Sequence, residues 1–150
     1  MNRSTFNEIG STIQCRHCCA RVMHVENDFL CTPCHQLQAL FPQGQSYRQR
    51  RHYDFITKSM ITSIPPLYAT QHIPAAQKMI YAHFFVASSD WYVAEFDPIT
   101  GDAFGFADLG CPEWGYFNVV EMEAQCVHEW MVIDRELDFT PITAADLGIA

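Results

Sequence analysis

The strongest constraint on the fold is a run of aromatic and apolar segments between residues 79 and 117, divided by regular turn signals. Short segments of this kind, bounded by Gly, Pro, Ser and Asp, are typical of strands joined by tight turns. The predicted strands are residues 79–86, 91–96, 103–107 and 114–117, with a last one at 133–139. The pattern therefore predicts an antiparallel meander.

Three helices are predicted around these strands, at residues 35–41, 58–63 and 119–125. Thr57 and Asn118 precede the second and third of them and have side chains that can accept hydrogen bonds from free helical N–H groups. Strands followed and flanked by helices favour an α+β fold, a mainly antiparallel β-sheet with helices packed on it. We expect this domain to follow a small zinc-ribbon module.

The evidence for that module is a pair of Cys-x2-Cys motifs separated by twelve residues, formed by Cys15, Cys18, Cys31 and Cys34. Zn²⁺ prefers four such thiolates in a tetrahedron, and a complete shell leaves no position for substrate, so the predicted site is structural. Residues 22–30 read as a hairpin between the motifs, and residues 13–36 together look like a zinc ribbon. Three neighbouring side chains could replace a ligand: Cys19, His17 and His35.

The formal net charge of -8 is unevenly distributed. Residues 1–58 hold seven Lys and Arg against four Asp and Glu, which gives +3, whereas residues 59–150 hold two against thirteen, which gives -11. This asymmetry predicts two surfaces with different partners. It also supports a division into a zinc-ribbon module at 1–42, a basic linker at 43–54 and an acidic α+β domain at 55–150.

The basic linker contains Arg48, Arg50 and Arg51 between Tyr47 and Tyr53. Arginine beside aromatic rings can contact phosphates and stack on bases, so these arginines are candidate nucleic-acid contacts. Alternatively, the segment docks on the acidic half of the same protein. Three arginines do not decide between the two interpretations.

The acidic domain offers a different candidate surface. Alternation along the predicted strand at 133–139 places Asp134, Glu136 and Asp138 on one face. Such a face would attract a basic protein surface and repel DNA; the alternative is a solvated face that protects a sheet edge. Trp114 and Tyr116, beside glycine in a turn-rich region, are candidates for an exposed contact patch.

An enzyme is the third interpretation. A metal-dependent nuclease or hydrolase would need these carboxylates to converge with others and with a base. The candidates are Asp97, Asp102, Asp108 and Glu113, with His83 or His128 as the base. The usual catalytic motifs are absent from the sequence, and no residue is assigned a catalytic role. Cys111 and Cys126 lack a full ligand set and are expected to be buried as small apolar groups.

The sequence contains no apolar stretch near the length that spans a bilayer, and its first residues lack the features of a signal peptide. We therefore expect a cytoplasmic protein without membrane partners. In a reducing compartment, seven cysteines favour metal binding over a disulfide framework.

Residues 55–141 resemble the bacterial domain-of-unknown-function 2958 family. The resemblance is carried by an ordered set of motifs: Ile64-Pro65-Pro66-Leu67-Tyr68-Ala69-Thr70, Trp91-Tyr92, Glu95-Phe96-Asp97, Phe104-Gly105, Glu113-x-Gly115-Tyr116-Phe117, Glu121-Met122-Glu123 and 134–141. Where the family usually reads Glu-Arg-Asp, this chain has Asp134-Arg135-Glu136. The resemblance implies a setting on plasmids, integrative elements or phages, often beside antirestriction genes, but implies no activity and does not extend to the cysteine module.

Together these features predict a non-enzymatic zinc-binding protein of a mobile genetic element. Its expected partner is a basic protein of nucleic-acid metabolism or host defence, and one form of such a protein is an anti-CRISPR or antirestriction inhibitor. The alternatives are a nucleic-acid-binding accessory protein that uses the zinc ribbon and Arg48, Arg50 and Arg51, and a metal-dependent nuclease or hydrolase.

Overall fold

A computed structural model of the chain describes residues 30–42 and 44–150 with their side chains, and residues 13–14 and 21–22 as strands. The helices within these residues are α1 (Thr32–Leu40), α2 (Arg48–Arg51), α3 (Lys58–Ser63), α4 (Val119–Ala124) and α5 (Ala144–Leu147), with a 3-10 turn at Ala75–Gln77. The strands are β1 (Ile13–Gln14), β2 (Arg21–Val22), β3 (Met79–Ile80), β4 (Ala82–Val86), β5 (Ser89–Phe96), β6 (Asp102–Asp108), β7 (Glu113–Asn118), β8 (Cys126–Val127), β9 (Met131–Val132), β10 (Asp134–Arg135) and β11 (Ile142–Thr143).

Five of these strands form one antiparallel sheet in the order β10-β4-β5-β6-β7. The predicted meander corresponds to β4 to β7, and the α+β class with a mainly antiparallel sheet is confirmed. The predicted strand at 79–86 is divided into β3 and β4, because β3 leaves the central sheet and pairs with β11.

One face of the sheet, called the inner face, carries the core. Successive side chains of a strand point to opposite faces, and Ala82, Phe84 and Val86 of β4 are all buried. The buried Phe55 packs on Phe84 with ring centroids 4.5 Å apart, and Met60 of α3 joins the same cluster. Each fully buried apolar side chain of this size contributes roughly 1.5–3 kcal/mol. Because the core is built on this face, the inner face is the main source of stability.

The opposite face, called the outer face, depends on a β-bulge in β5. The register with β6 shifts between Val93 and Glu95. A bulge adds one residue to one strand and re-aims the side chains that follow it. Glu95 consequently shares the outer face with Phe104, its partner on β6. Here β6 has no side chain at Gly105, where a Cβ would lie 1.8 Å from the carbonyl oxygen of Tyr92.

Two of the predicted helices begin at the residues chosen for them. The side chain of Thr57 accepts a hydrogen bond from the N–H of Met60 at the start of α3. The side chain of Asn118 accepts one from the N–H of Glu121 at the start of α4. Both caps satisfy N–H groups that have no partner within the helix.

The predicted strand at 133–139 is wrong beyond Arg135. β10 contains only Asp134–Arg135, and the N–H of Glu136 donates one further bond to the carbonyl of His83. The chain then turns at Leu137 and Asp138, and Leu137 is 57% exposed. The alternation predicted an apolar face, but Leu137 has no core to pack against. Asp134, Glu136 and Asp138 therefore do not share a strand face.

Residues 44–54 pack on the acidic domain instead of forming a free linker. The N–H groups of Ser46 and Tyr47 donate to the carboxylate of Glu123 on α4. The side chain of Gln45 donates to the carbonyl of Ile56 at 3.0 Å. These bonds hold α2 against α4, which agrees with the alternative that the segment docks on the protein's own acidic half.

Only part of the predicted cysteine module lies within the described residues. β1 pairs with β2, so Ile13 lies opposite Val22, and residues 15–20 connect the two strands. Cys15, Cys18, Cys19 and His17 lie outside the described residues, as does most of the predicted hairpin at 22–30. The second motif opens a helix: Cys31 is the N-cap of α1, which begins three residues before its predicted start at His35. Cys31 and Cys34 are both buried.

Candidate binding site on the outer face

A row of four rings crosses the outer face. His83, Tyr92, Phe106 and Trp114 are direct cross-strand partners on β4, β5, β6 and β7. The imidazole of His83 stacks on Tyr92 with centroids 4.4 Å apart and planes 5° apart. The rings of Phe106 and Trp114 meet edge to face at 5.8 Å. Aromatic cross-strand pairs of this kind stabilise the sheet and form a continuous half-buried surface.

A second row contains Glu95, Phe104 and Tyr116. The Tyr116 ring lies 5.0 Å from Phe104 and 6.0 Å from Tyr68, measured between centroids. Tyr116 is 57% exposed and Tyr68 is 59% exposed. Of the two residues predicted to form a contact patch, Tyr116 is exposed, whereas Trp114 is half-buried against the small cluster of Ile80, Ala94 and Ala144.

These rings border a cleft of about 360 Å³ lined by Gln71, Lys78, Glu95, Phe104 and Tyr116. The buried carboxylate of Glu95 accepts from the N–H groups of Tyr68 at 2.6 Å and Thr70 at 2.8 Å, and from the Thr70 hydroxyl. Tyr68 has a φ of 69°, a conformation that L-residues seldom adopt. The strained conformation of Tyr68 directs its backbone N–H toward Glu95.

The ammonium group of Lys78, also buried, donates to the carbonyl and hydroxyl oxygens of Thr70. Both charged groups of the cleft are thus satisfied by the same turn, as buried charges must be. The cleft is therefore preformed and does not depend on a ligand for its charge balance.

Asp90 and Asp108 lie beside the ring row, on the side away from the cleft, and Glu136 lies at its His83 end. We call these three carboxylates the acidic corner. Asp90 and Asp108 lie directly opposite each other on β5 and β6. His83 bridges the corner: Nδ1 lies 2.8 Å from Glu136 Oε2, and Nε2 lies 2.8 Å from Asp90 Oδ1. Burial raises the pKa of Tyr92, and the charges of the same three carboxylates raise it further.

The acidic corner replaces the predicted acidic face. Only Glu136 belongs to both. Asp134 accepts a hydrogen bond from the hydroxyl of Tyr53 at 2.8 Å, while Asp138 is exposed in the turn after β10. Sequence reasoning missed Asp90 and considered Asp108 only for catalysis, because both stand beside turns, where aspartate is ordinary. Their pairing depends on the register of the β5–β6 hairpin, which the turn geometry sets and the bulge between Val93 and Glu95 shifts.

Arg51 does not lie on a basic surface, so its prediction as a nucleic-acid contact is wrong. Its guanidinium donates to Glu123 Oε1 at 2.7 Å, to the carbonyl of Glu123 at 3.1 Å and to that of Ile133 at 2.8 Å. The side chains of Arg51 and Glu123 are 0% and 1% exposed. Arg48 and Arg50 remain exposed, and Arg48 pairs with Asp54.

Three of the carboxylates considered for catalysis accept hydrogen bonds at turns and strand ends. Asp97 accepts from the N–H of Ile99 at 2.8 Å, Asp108 from that of Gly110 at 3.0 Å, and Asp102 from the amide of Asn118 at 2.9 Å. Within residues 30–42 and 44–150, no three or more His, Cys, Asp or Glu side chains are placed to hold a metal ion. The convergence that metal-dependent hydrolysis needs is missing from that part of the chain.

The cysteines outside the zinc motifs differ from their prediction in one case. Cys111 is exposed and not buried, because it lies in the exposed segment between β6 and β7. Cys126 is half-buried, with its sulfur 3.6 Å from Arg50 Nη1. Among the described helices, none is long and apolar enough to cross a membrane.

The fold and the outer face define a class: an α+β domain whose antiparallel sheet buries one face and presents aromatic and acidic side chains on the other. Residues 69–146, just over half of the chain, match the family described as a protein of unknown function (DUF2958). The chain belongs to this family, which confirms the resemblance. The match contains both ring rows and the acidic corner. No curated protein and no solved structure matches the chain.

Proposed function

We propose that the chain is a binding protein without catalytic activity that docks a positively charged protein partner on its outer face. The observation that carries this proposal is the position of the acidic corner on the same face as the exposed Tyr116 and Tyr68. Carboxylates steer a basic partner toward the face, and aromatic side chains are the type that most often dominates binding energy at an interface.

The surrounding charge favours a protein partner over DNA for this face. Residues 59–150 carry a formal charge of -11. This field accelerates encounter with a basic surface and repels the phosphate backbone. The setting implied by the family resemblance points to a partner in nucleic-acid metabolism or host defence, with an anti-CRISPR or antirestriction inhibitor as one form of the proposal.

The test uses a fluorescein-labelled octapeptide of alternating Lys and Val as a basic probe, with binding measured by fluorescence anisotropy. The variant Asp90→Asn with Asp108→Asn removes two charges from the acidic corner but keeps a hydrogen-bond acceptor at Asp108 for Gly110. We expect this pair to lower the affinity at least about tenfold, since a tenfold change is about 1.4 kcal/mol and a close charge pair at an interface contributes about that much or more.

The matched control is Glu121→Gln with Glu129→Gln, which removes the same charge from exposed positions outside the corner. It should leave affinity nearly unchanged. An equal loss of affinity in the two double variants would mean that only the net charge matters. Absence of probe binding by the unaltered protein would contradict the proposal.

We also propose that Cys15, Cys18, Cys31 and Cys34 bind one Zn²⁺. Two observations support this assignment. Cys31 and Cys34 are buried one turn apart at the start of α1, and the other two cysteines lie in the sequence between the paired strands β1 and β2. Four thiolates match the donor preference of zinc. The metal would anchor a module too small to have a large core.

Metal analysis of protein purified under reducing conditions tests the zinc proposal. We expect about one zinc per chain, from the four-ligand rule, and its loss in Cys31→Ser with Cys34→Ser. Cys111→Ser, a change at an exposed cysteine, serves as the control and should retain the metal. A zinc-free native protein would refute the assignment.

A second candidate function is nucleic-acid binding through the N-terminal part. The exposed Arg50 lies 5.8 Å from the ring centroid of Tyr47, which keeps a cation and an aromatic side chain together on the surface. Binding of single- or double-stranded oligonucleotides that weakens with salt and with Arg48→Ala plus Arg50→Ala would support it. Absence of binding at low salt would eliminate it.

A further inference from the structure

The two edges of the central sheet differ. One edge is β10, which has two residues, and the hydroxyl of Tyr53 accepts a hydrogen bond at 2.9 Å from the N–H of Arg135 on that strand. The other edge is β7, which has six residues. Among the described residues, β7 makes backbone hydrogen bonds to β6 alone within Glu113–Asn118. The short edge is occupied by a side chain, whereas no described residue pairs with the long edge.

Proteins usually protect such an edge with Lys, Pro, a bulge or a covering segment, because its unpaired N–H and C=O groups can pair with another strand. β7 contains neither Lys nor Pro, and its register with β6 is continuous from Glu113 to Asn118. The bulge of the sheet lies in β5, two strands away. Within the part of the chain that the structure describes, the β7 edge therefore lacks the usual devices that prevent pairing.

Side chains on both sides of this edge can accommodate an added strand. Trp114 and Tyr116 stand on the outer face at alternate positions, next to Phe104 and Phe106. On the inner side, a Cβ built on Gly115 would meet no atom within 4 Å among the described residues. An incoming strand would thus meet the exposed Tyr116 and the half-buried Trp114 on one side, and open space at Gly115 on the other.

The charge around the β7 edge favours a basic strand as its binding partner. The strand begins with the exposed Glu113, and the domain around it carries -11 from residue 59 onward. A second copy of the chain would bring the same charge of -8 and would be repelled. Lys or Arg side chains at alternate positions of an added strand would lie over the rings of Trp114 and Tyr116, where cations are attracted.

We propose that the open edge of β7 binds an extended basic segment of the partner protein as a sixth strand of the sheet. This inference rests on the proposed function and specifies its site and mode. Main-chain hydrogen bonds would supply part of the affinity, and the alternate side chains over the rings would supply selectivity for basic residues.

Amide hydrogen exchange of the full-length protein, measured by NMR with and without the Lys–Val octapeptide, tests the proposal. Alternate residues of an edge strand direct their N–H groups away from the sheet. We expect the outward N–H groups of residues 113–118 to exchange at least about tenfold more slowly with saturating peptide, as added strand hydrogen bonds predict. A peptide of alternating Glu and Val should give no protection.

A variant provides the second readout. Tyr116→Ala should weaken the peptide about tenfold, as for an exposed aromatic at the centre of an interface, whereas Trp130→Ala, at an exposed ring in the β8–β9 turn, should not. If the peptide binds and depends on the acidic corner but leaves β7 exchange unchanged, the edge inference fails while the proposed function stands. Slow exchange of the β7 amides without peptide would also overturn the inference. Protection that rises with protein concentration would identify a second copy on the edge, and protection independent of concentration would identify another segment of this chain.

Discussion

The two faces of the central sheet are built from the same strands but differ in what their side chains do. On β4, Phe84 points inward and is fully buried, whereas the adjacent His83 points outward and bridges two carboxylates. The inner face excludes water and fixes the fold. The outer face keeps rings, charges and a cleft partly accessible. Alternate residues of one strand can therefore serve stability and binding separately. Substitutions on each face test this division.

The largest expected contrast compares two phenylalanines. Phe84→Ala removes a fully buried ring that packs on Phe55, and it should lower the free energy of unfolding by about 3–5 kcal/mol. Phe106→Ala removes a half-buried ring of the outer row and should cost less than about half as much, since less apolar surface returns to water. Urea unfolding followed by circular dichroism measures both. Equal losses of the free energy of unfolding in the two variants would contradict the proposed difference between the faces.

The second contrast compares two arginines three residues apart. Arg51→Ala leaves the carboxylate of Glu123 buried without its charged partner and should cost about 3–5 kcal/mol. Arg48→Ala breaks an exposed pair with Asp54 and should cost about 0.2–1 kcal/mol. Urea unfolding of the two variants measures both losses. A mild effect of Arg51→Ala would mean that α2 does not belong to the interior.

The smallest expected effect concerns the titration of Tyr92. Burial and then the charges of Asp90, Glu136 and Asp108 raise its pKa above the ordinary value. The neutral phenol is therefore favoured in the folded state. Its contribution to stability is complete below about pH 10, the usual tyrosine pKa, and is lost as the pH rises through the raised value.

Removing two of these charges, with Asp90→Asn and Asp108→Asn, should lower the pKa of Tyr92 toward the ordinary value. Phenolate absorbance at high pH, taken as the difference from the Tyr92→Phe variant, measures this shift. The control pair Glu121→Gln and Glu129→Gln should not move it. An unchanged titration in the Asp90 and Asp108 variant would show that the acidic corner does not act on Tyr92.

Much of the fold could be predicted because its signals are local. The turn residues between β4 and β7 and the caps Thr57 and Asn118 act within a few residues of their own positions. β10 was predicted too long because alternation alone cannot show whether Leu137 has a core to enter. Local patterns therefore locate elements better than they determine burial.

The site could be predicted only in part because its contacts are distant in sequence. Arg51 and Glu123 are 72 residues apart, and the pairing of Asp90 with Asp108 depends on the register of β5 and β6. Tyr116 was found because glycine and a turn-rich context mark an accessible strand. Arg48 and Arg51 stand in the same short basic segment, which carries no signal that distinguishes the exposed arginine from the buried one.

The central claim is that the outer face is the partner-binding surface, and chemical-shift mapping on the ¹⁵N-labelled protein tests it most directly. Titration with the Lys–Val octapeptide should move the resonances of outer-face residues, led by Asp90, Tyr92, Asp108, Trp114 and Tyr116. Resonances of Arg48 and Arg50, and of residues beneath the inner face such as Met60, should move little. Shifts confined to the arginine segment, or spread evenly over the surface, would contradict the account.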